Sequence, residues 1–158
     1  MTRGALYHHF VNKRALFEGA ARQVAEELAQ AGGTAATQAS GDPWARTMEG
    51  FQGYLQVVAA SPEIQRILLV DGPAVLGAQG WRDLQAQVLL PKTVAYLESL
   101  KAAGKLRRGE PEPLARLLTA ALNDAALTIA DAKDTERTRR LVTDALAALI
   151  EGFAERGG

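Results

Sequence analysis

From Leu16 to Phe153 the apolar residues of this chain recur at steps of three and four. That spacing leaves little choice but helices packed on helices. Trp44, Met48, Phe51, Leu55 and Val58 form one such stripe, behind Asp42 as a capping residue and Pro43 at the first helical position. Leu16, Phe17, Ala20, Val24 and Leu28 make another, behind Asn12 as a cap. Residues 67–70 (ILLV) could pass for a strand, but a lone strand finds no partner here. The expected fold class is all-α.

Breakers divide the pattern. The first long helix is expected from Asn12 to about Ala31, ended by Gly32-Gly33, with residues 32–42 as a small polar loop. Ser61-Pro62 opens a short helix that stops at Asp71-Gly72-Pro73. A looser segment follows to about Gly80. Residues 81–103 read as a long helix with Pro91 inside it, which removes one backbone bond and bends the axis. That bend is either a moving part or a static kink. Residues 113–132 are apolar around most of the circumference, so this helix is buried on more than one side. Residues 135–155 start polar and end apolar.

Composition excludes several functions. The chain has 158 residues, of which 47% are apolar, enough for a real core. Its formal charge is zero, so any basic surface must be local. It has no cysteine, which rules out disulfides, thiol catalysis and cysteine-ligated zinc. No apolar run approaches membrane-spanning length and the first residues do not read as a signal peptide, which fits a cytoplasmic protein with no membrane partner. His8 and His9 are adjacent and point about 100° apart on a helix, so they do not form a metal pair. No nucleophile elbow or phosphate loop occurs. The expectation is no enzyme, no metal and no cofactor.

The first seventeen residues, MTRGALYHHFVNKRALF, carry the most specific signal. Thr2 can cap a short helix on which Leu6 and Phe10 share one face. Arg3, Tyr7 and His8 fall largely off that face. The segment holds Arg3, Lys13 and Arg14 and no acid. An apolar back with a basic, hydroxyl-bearing front suits phosphates and base edges, although a solvated charge cluster has the same composition. The spelling T-R-G-A-L-Y-H-H-F-x-x-K-x-x-L-F resembles the third helix and fourth-helix entry of TetR-family transcriptional regulators, over residues 1–17. The resemblance implies a helix-turn-helix with residues 2–8 as recognition helix and residues 12–31 as the helix that follows. It implies that Thr2, Arg3, Gly4 and Ala5 face bases, and that Tyr7, His8 and Lys13 hold phosphates. Leu6, Phe10, Leu16 and Phe17 become core, and His9 could go either way.

In a helix-turn-helix one helix crosses the DNA backbone and braces the second in the groove. Within these residues no such helix comes before Thr2. Related regulators often carry Val before this Thr, and a GTG codon reads as Met at a start. Met1 is therefore expected to be a misassigned start in a longer frame, with a natural or engineered truncation as the alternative. Residues 1–31 are then a partial DNA-binding domain, and residues 43–156 a ligand-binding and dimerisation domain.

By the same resemblance, an effector site is expected at Met48, Phe51, Gln52, Leu55, Gln65, Leu68, Trp81, Leu84, Val88, Leu118, Leu122 and Asn123. Such sites are apolar with a few placed polar groups. A plain core has the same stripe of methionine and aromatic residues. Leu114, Ala121, Ala125, Leu146, Leu149, Ile150 and Phe153 are expected to meet their symmetry mates in a four-helix homodimer interface, or else to cover a monomeric core. The resulting function is a DNA-binding regulator, a repressor released by an unknown small-molecule effector from a double-stranded operator. In this chain it is expected to be impaired in DNA binding. The alternative is a ligand-binding and dimerising module without DNA activity.

Overall fold

The computed structural model describes residues 12–39 and 41–154. Helix α1 (Lys13–Gln38) starts where the Asn12 side chain accepts the Ala15 N–H at 2.9 Å. Helix α2 (Pro43–Ala60) starts the same way, with Asp42 accepting from Ala45 at 2.9 Å. Ser61 caps the short α3 (Pro62–Gln65), which runs into a π-helical turn, Arg66–Asp71. Helices α4 (Gly72–Val88), α5 (Leu90–Ala102), α6 (Pro111–Ala130) and α7 (Thr135–Glu151) complete the fold. Residues 67–70 lie in the π-helical turn, and no strand occurs among the described residues beyond one antiparallel bridge, Leu106 with Ala154.

Gly32-Gly33 does not end the first helix. Helix α1 continues to Gln38, and the next helix starts at Pro43. The glycines serve packing instead. A Cβ on Gly32 would lie 2.8 Å from the Gly50 carbonyl oxygen, and a Cβ on Gly53 would lie 2.8 Å from the Ala35 Cβ. Missing side chains on both helices let α1 and α2 approach more closely than larger residues permit. Each interior glycine costs about 1 kcal/mol of helix propensity, and the packing offsets it.

Two further boundaries move. Asp71-Gly72-Pro73 does not stop the chain but passes from the π-helical turn into α4, because Pro73 sits in the first turn, where its missing N–H is not needed. The segment to Gly80 is helical except at Gly77, whose φ of 77° and ψ of 164° interrupt α4. Pro91 is not inside a long helix. The break falls at Leu89, and Pro91 lies in the first turn of α5. The last two helices run Pro111–Ala130 and Thr135–Glu151, shifted by two residues and shortened by four against the expectation.

Helix α6 is the centre. It packs against α2, α3, α5 and α7, burying Ala115, Leu118, Ala126 and Ile129. Leu28, Leu55, Leu97, Leu100 and Ile150 are fully buried around it. Truncating any of these to Ala would cost about 2–5 kcal/mol. The loop after α5 acts as a tie. Lys105 forms an ion pair with Asp42, the α2 cap. The Arg107 N–H donates to the Phe153 carbonyl at 2.8 Å, and its guanidinium donates to the Glu151 carbonyl at 2.7 Å. One loop thus holds the start of α2 and the end of α7.

The glycine crossing predicts opposite outcomes for adjacent residues. Gly32→Ala should destabilise the chain by about 1–3 kcal/mol through overpacking. Gly33→Ala, where a Cβ meets nothing within 4 Å, should stabilise it by about 0.5–1 kcal/mol. Urea unfolding of both variants reads the sign directly. The cap predicts a pH dependence. The hydrogen bond from Lys105, followed by that from the Ala45 N–H, holds the Asp42 carboxyl below its ordinary value of 3.8. The contribution is therefore present at neutral pH and is lost as pH falls through the folded-state value. In urea midpoints, the gap between the native chain and Asp42→Asn should be widest near neutrality and close in acid.

Candidate functional site

Tyr54 on α2 is the residue around which the interior opens. Its ring is buried, and its hydroxyl donates to Asn123 Oδ1 on α6 at 3.4 Å, long for such a bond. Burial pushes the phenol well above its ordinary value, so it stays protonated. Two small slots lie on either side, parted by Leu28, Tyr54 and Leu89. The first has a volume of about 30 Å³ and takes in Phe51, Lys92, Thr93, Tyr96, Thr119 and Leu122. The second, about 10 Å³, takes in Leu68, Trp81, Gln85 and Asn123. Outside them a groove of about 330 Å³ between α4 and α6 reaches inward to Thr119 and Asn123.

A water needs roughly 10–15 Å³. The slots therefore hold no more than a few waters until a side chain moves. Tyr96 is the mobile candidate. It is half-buried, meets Phe51 edge-to-face at 5.9 Å between centroids, and places its hydroxyl where a Cβ on Gly50 would be, 2.8 Å away. Its hydroxyl has no hydrogen-bond partner among the described residues. Opposite it the Thr93 and Thr119 hydroxyls sit 3.4 Å apart in a buried setting.

The structure brings part of the expected pocket together. Phe51 and Leu122 line the first slot, and Leu68, Trp81 and Asn123 line the second. Leu55, Leu84 and Leu118 are fully buried core and line neither slot, Met48 is buried away from both, and Val88 packs on the core. Gln65 donates to the Val58 carbonyl at 2.7 Å, which holds the α2–α3 corner, and Gln52 reaches neither slot. Lys92, Thr93 and Thr119 were not expected at the site.

Thr2, Arg3, Gly4, Ala5, Leu6, Tyr7, His8, His9 and Phe10 lie outside the described residues. Lys13 is exposed at the start of α1, and Phe17 packs on the core. Arg14 turns inward along the body, where its guanidinium donates to the Leu76 carbonyl at 2.9 Å. The interruption at Gly77 falls directly after this carbonyl.

The last two helices present a different face from the one expected. Ile150 is fully buried and Leu146 and Ala125 nearly so, all against the chain's own core. These three pack in the chain's own core, a correction to the outward placement expected of them. Leu114, Ala121 and Phe153 are half-buried, while Leu149 is 49% exposed. The outward apolar residues are Leu117 and Leu127 on α6, with Leu141 and Leu149 on α7.

Residues 44–153 match the family described as tetracyclin repressor-like, C-terminal domain. A TetR-family transcriptional regulator from Pectobacterium atrosepticum is 31% identical, with a TM-score of 0.83 over 100% of this chain and 80% of that one. A TetR-family protein from Mesorhizobium loti is 16% identical, with a TM-score of 0.69 over 98% of this chain and 81% of its own. A tetR-family regulatory protein from Rhodococcus is 13% identical, with a TM-score of 0.62 over 99% and 82%. At these identities the last two show a shared fold alone. No curated protein matches the chain.

The Tyr54 geometry predicts an asymmetric pair. Tyr54→Phe removes only a long hydrogen bond and should change stability by no more than about 1 kcal/mol. Tyr54→Ala should cost about 3–5 kcal/mol. A large loss in the Phe variant during urea unfolding would show that the hydroxyl matters more than its 3.4 Å separation implies.

Proposed function

We propose a function from one premise: this chain belongs to the TetR family of transcriptional regulators. It is a DNA-binding regulator, acting as a repressor, that an effector releases from a double-stranded operator. Residues 43–156 are the effector-binding and dimerisation part in this reading, which the match of residues 44–153 to a tetracyclin repressor-like C-terminal domain supports. The recognition segment reads bases with Thr2, Arg3, Gly4 and Ala5 and grips phosphates with Tyr7, His8 and Lys13. A twofold dimer places two such segments in successive major grooves. Effector and operator are then linked by one coupling free energy.

The observation that carries this reading is the Arg14–Leu76 hydrogen bond at 2.9 Å. Arg14 lies two residues past Asn12, at the base of the DNA-binding motif. Leu76 lies in the turn of α4 that Gly77 cuts from the rest of that helix. Trp81, five residues on, lines the second slot. A ligand that shifts Trp81 therefore has a short path to the helix behind the recognition segment. The exposed apolar face of Leu117, Leu127, Leu141 and Leu149 supports the dimer, because so many large apolar side chains rarely stay in water on two adjacent helices. DNA binding by these 158 residues is expected to be weak, because a recognition helix is held in its groove by a bracing helix and the chain covers 80% of the Pectobacterium regulator.

Three measurements test the reading. In light scattering the chain should be dimeric in dilute solution, and Leu117→Asp with Leu149→Asp should make it monomeric while leaving its helix content intact. A monomeric native chain would overturn the dimer. In fluorescence anisotropy, a form extended upstream should bind the operator more tightly than this chain, with affinity falling as salt rises. Equal affinity for both forms would refute the bracing argument, and no salt-dependent binding by either would favour the module without DNA activity. In the extended form, Tyr7→Ala and Lys13→Ala should weaken all sequences alike, whereas Arg3→Ala should change which sequence is preferred.

A further inference from the structure

The first slot has a chemistry that narrows what can enter it. Its lining is apolar over Leu28, Phe51, Leu89 and Leu122, and it holds no acidic residue. Its one charged group is Lys92, exposed at the rim. Lys92 forms no ion pair or side-chain hydrogen bond among the described residues. Four residues on, Tyr96 carries a hydroxyl that also has no hydrogen-bond partner among the described residues. A spacing of four puts both side chains on one face of α5, with Cβ atoms about 5–6 Å apart. Two idle donors, one cationic and one neutral, thus stand side by side at the mouth of an apolar slot.

Resting on the ligand-site reading above, we propose that the effector is a small monocarboxylate with an apolar body, its carboxylate held between Lys92 Nζ and Tyr96 Oη. The body displaces the Tyr96 ring from its seat on Gly50 and occupies the space beside Phe51. The carboxylate supplies acceptors that no described protein group offers to either donor. Charge-assisted bonds of this kind are about twice as strong as neutral ones. A cationic ligand finds only repulsion from Lys92. A neutral one leaves the ammonium without a partner and gains only the apolar contact. The arginines of the outer groove do not compete for this role, because Arg116 is paired with Glu112 and Arg82 donates to Gln79.

The test uses matched acids and amides, phenylacetate with phenylacetamide and hexanoate with hexanamide, titrated calorimetrically into the full chain at low salt. Each acid should bind about five- to tenfold tighter than its amide, a factor of ten being about 1.4 kcal/mol. Lys92→Met should abolish that ratio by weakening the acids, and Lys92→Arg should retain it. Tyr96→Phe should reduce the ratio by a smaller factor. Lys92 is exposed, so its variants should fold normally. Amides binding as tightly as acids, or an acid preference that survives Lys92→Met, would overturn the carboxylate assignment and leave the ligand site standing. If no member of either pair binds, the slot is not a ligand site, and the premise falls with the proposal.

Discussion

The close crossing of α1 and α2 sets the dimensions of everything else in the domain. It rests on three residues without side chains. Gly32 lies against the Gly50 carbonyl, and Gly53 lies against Ala35. Phe51 and Tyr54 sit on the same stretch of α2, so the depth of the crossing decides how far their rings reach toward α5 and α6. Gly50 contributes twice, since its bare Cα also receives the hydroxyl end of Tyr96. A bulkier residue at this point would meet the Tyr96 ring and displace it from its seat. Packing and ligand access thus depend on one local constraint.

A second set of restraints is polar and comes from loops. Asp42, Ser61 and Asp134 each satisfy a free N–H at a helix start. Lys105 and Arg107 then join a helix start to a helix end, chiefly through a carboxylate and main-chain oxygens. Arg14 uses the same device at the Gly77 interruption, where a carbonyl would otherwise lack its helical partner. In each case a side chain restores what a chain break removes from the backbone ladder.

The helices were legible because apolar spacing and capping residues are local signals. Asn12, Asp42 and Pro43 marked their boundaries correctly. Gly32 and Gly33 misled because glycine has two uses, ending a helix and admitting another backbone, and only the neighbouring helix decides between them. Pro73 and Pro91 misled for a related reason: a proline in a first turn and a proline in mid-helix look alike until the break is placed. Of the residues expected at the pocket, Phe51 lines the first slot and Asn123 the second. Lys92 and Thr119 were missed because a lysine and a threonine on a helix carry no sign of what they overlook. On α6 and α7, where nearly every side is apolar, periodicity identifies the helix but not which face its own core takes. Hence Ile150 was expected outside and Leu117 was not.

Trp81 has a mechanical role that its burial alone would not suggest. The backbone of α4 is broken at Gly77, yet the indole reaches back across the break and lies on Gly72, where even a methyl group would come within 2.5 Å of the ring. A side-chain strut therefore links the two arms of the helix across the break. Any change in the angle between them must slide or tilt the indole on a bare backbone surface. With Trp44 replaced, the emission of this single indole would act as an internal protractor, reading the bend of α4 without an added label.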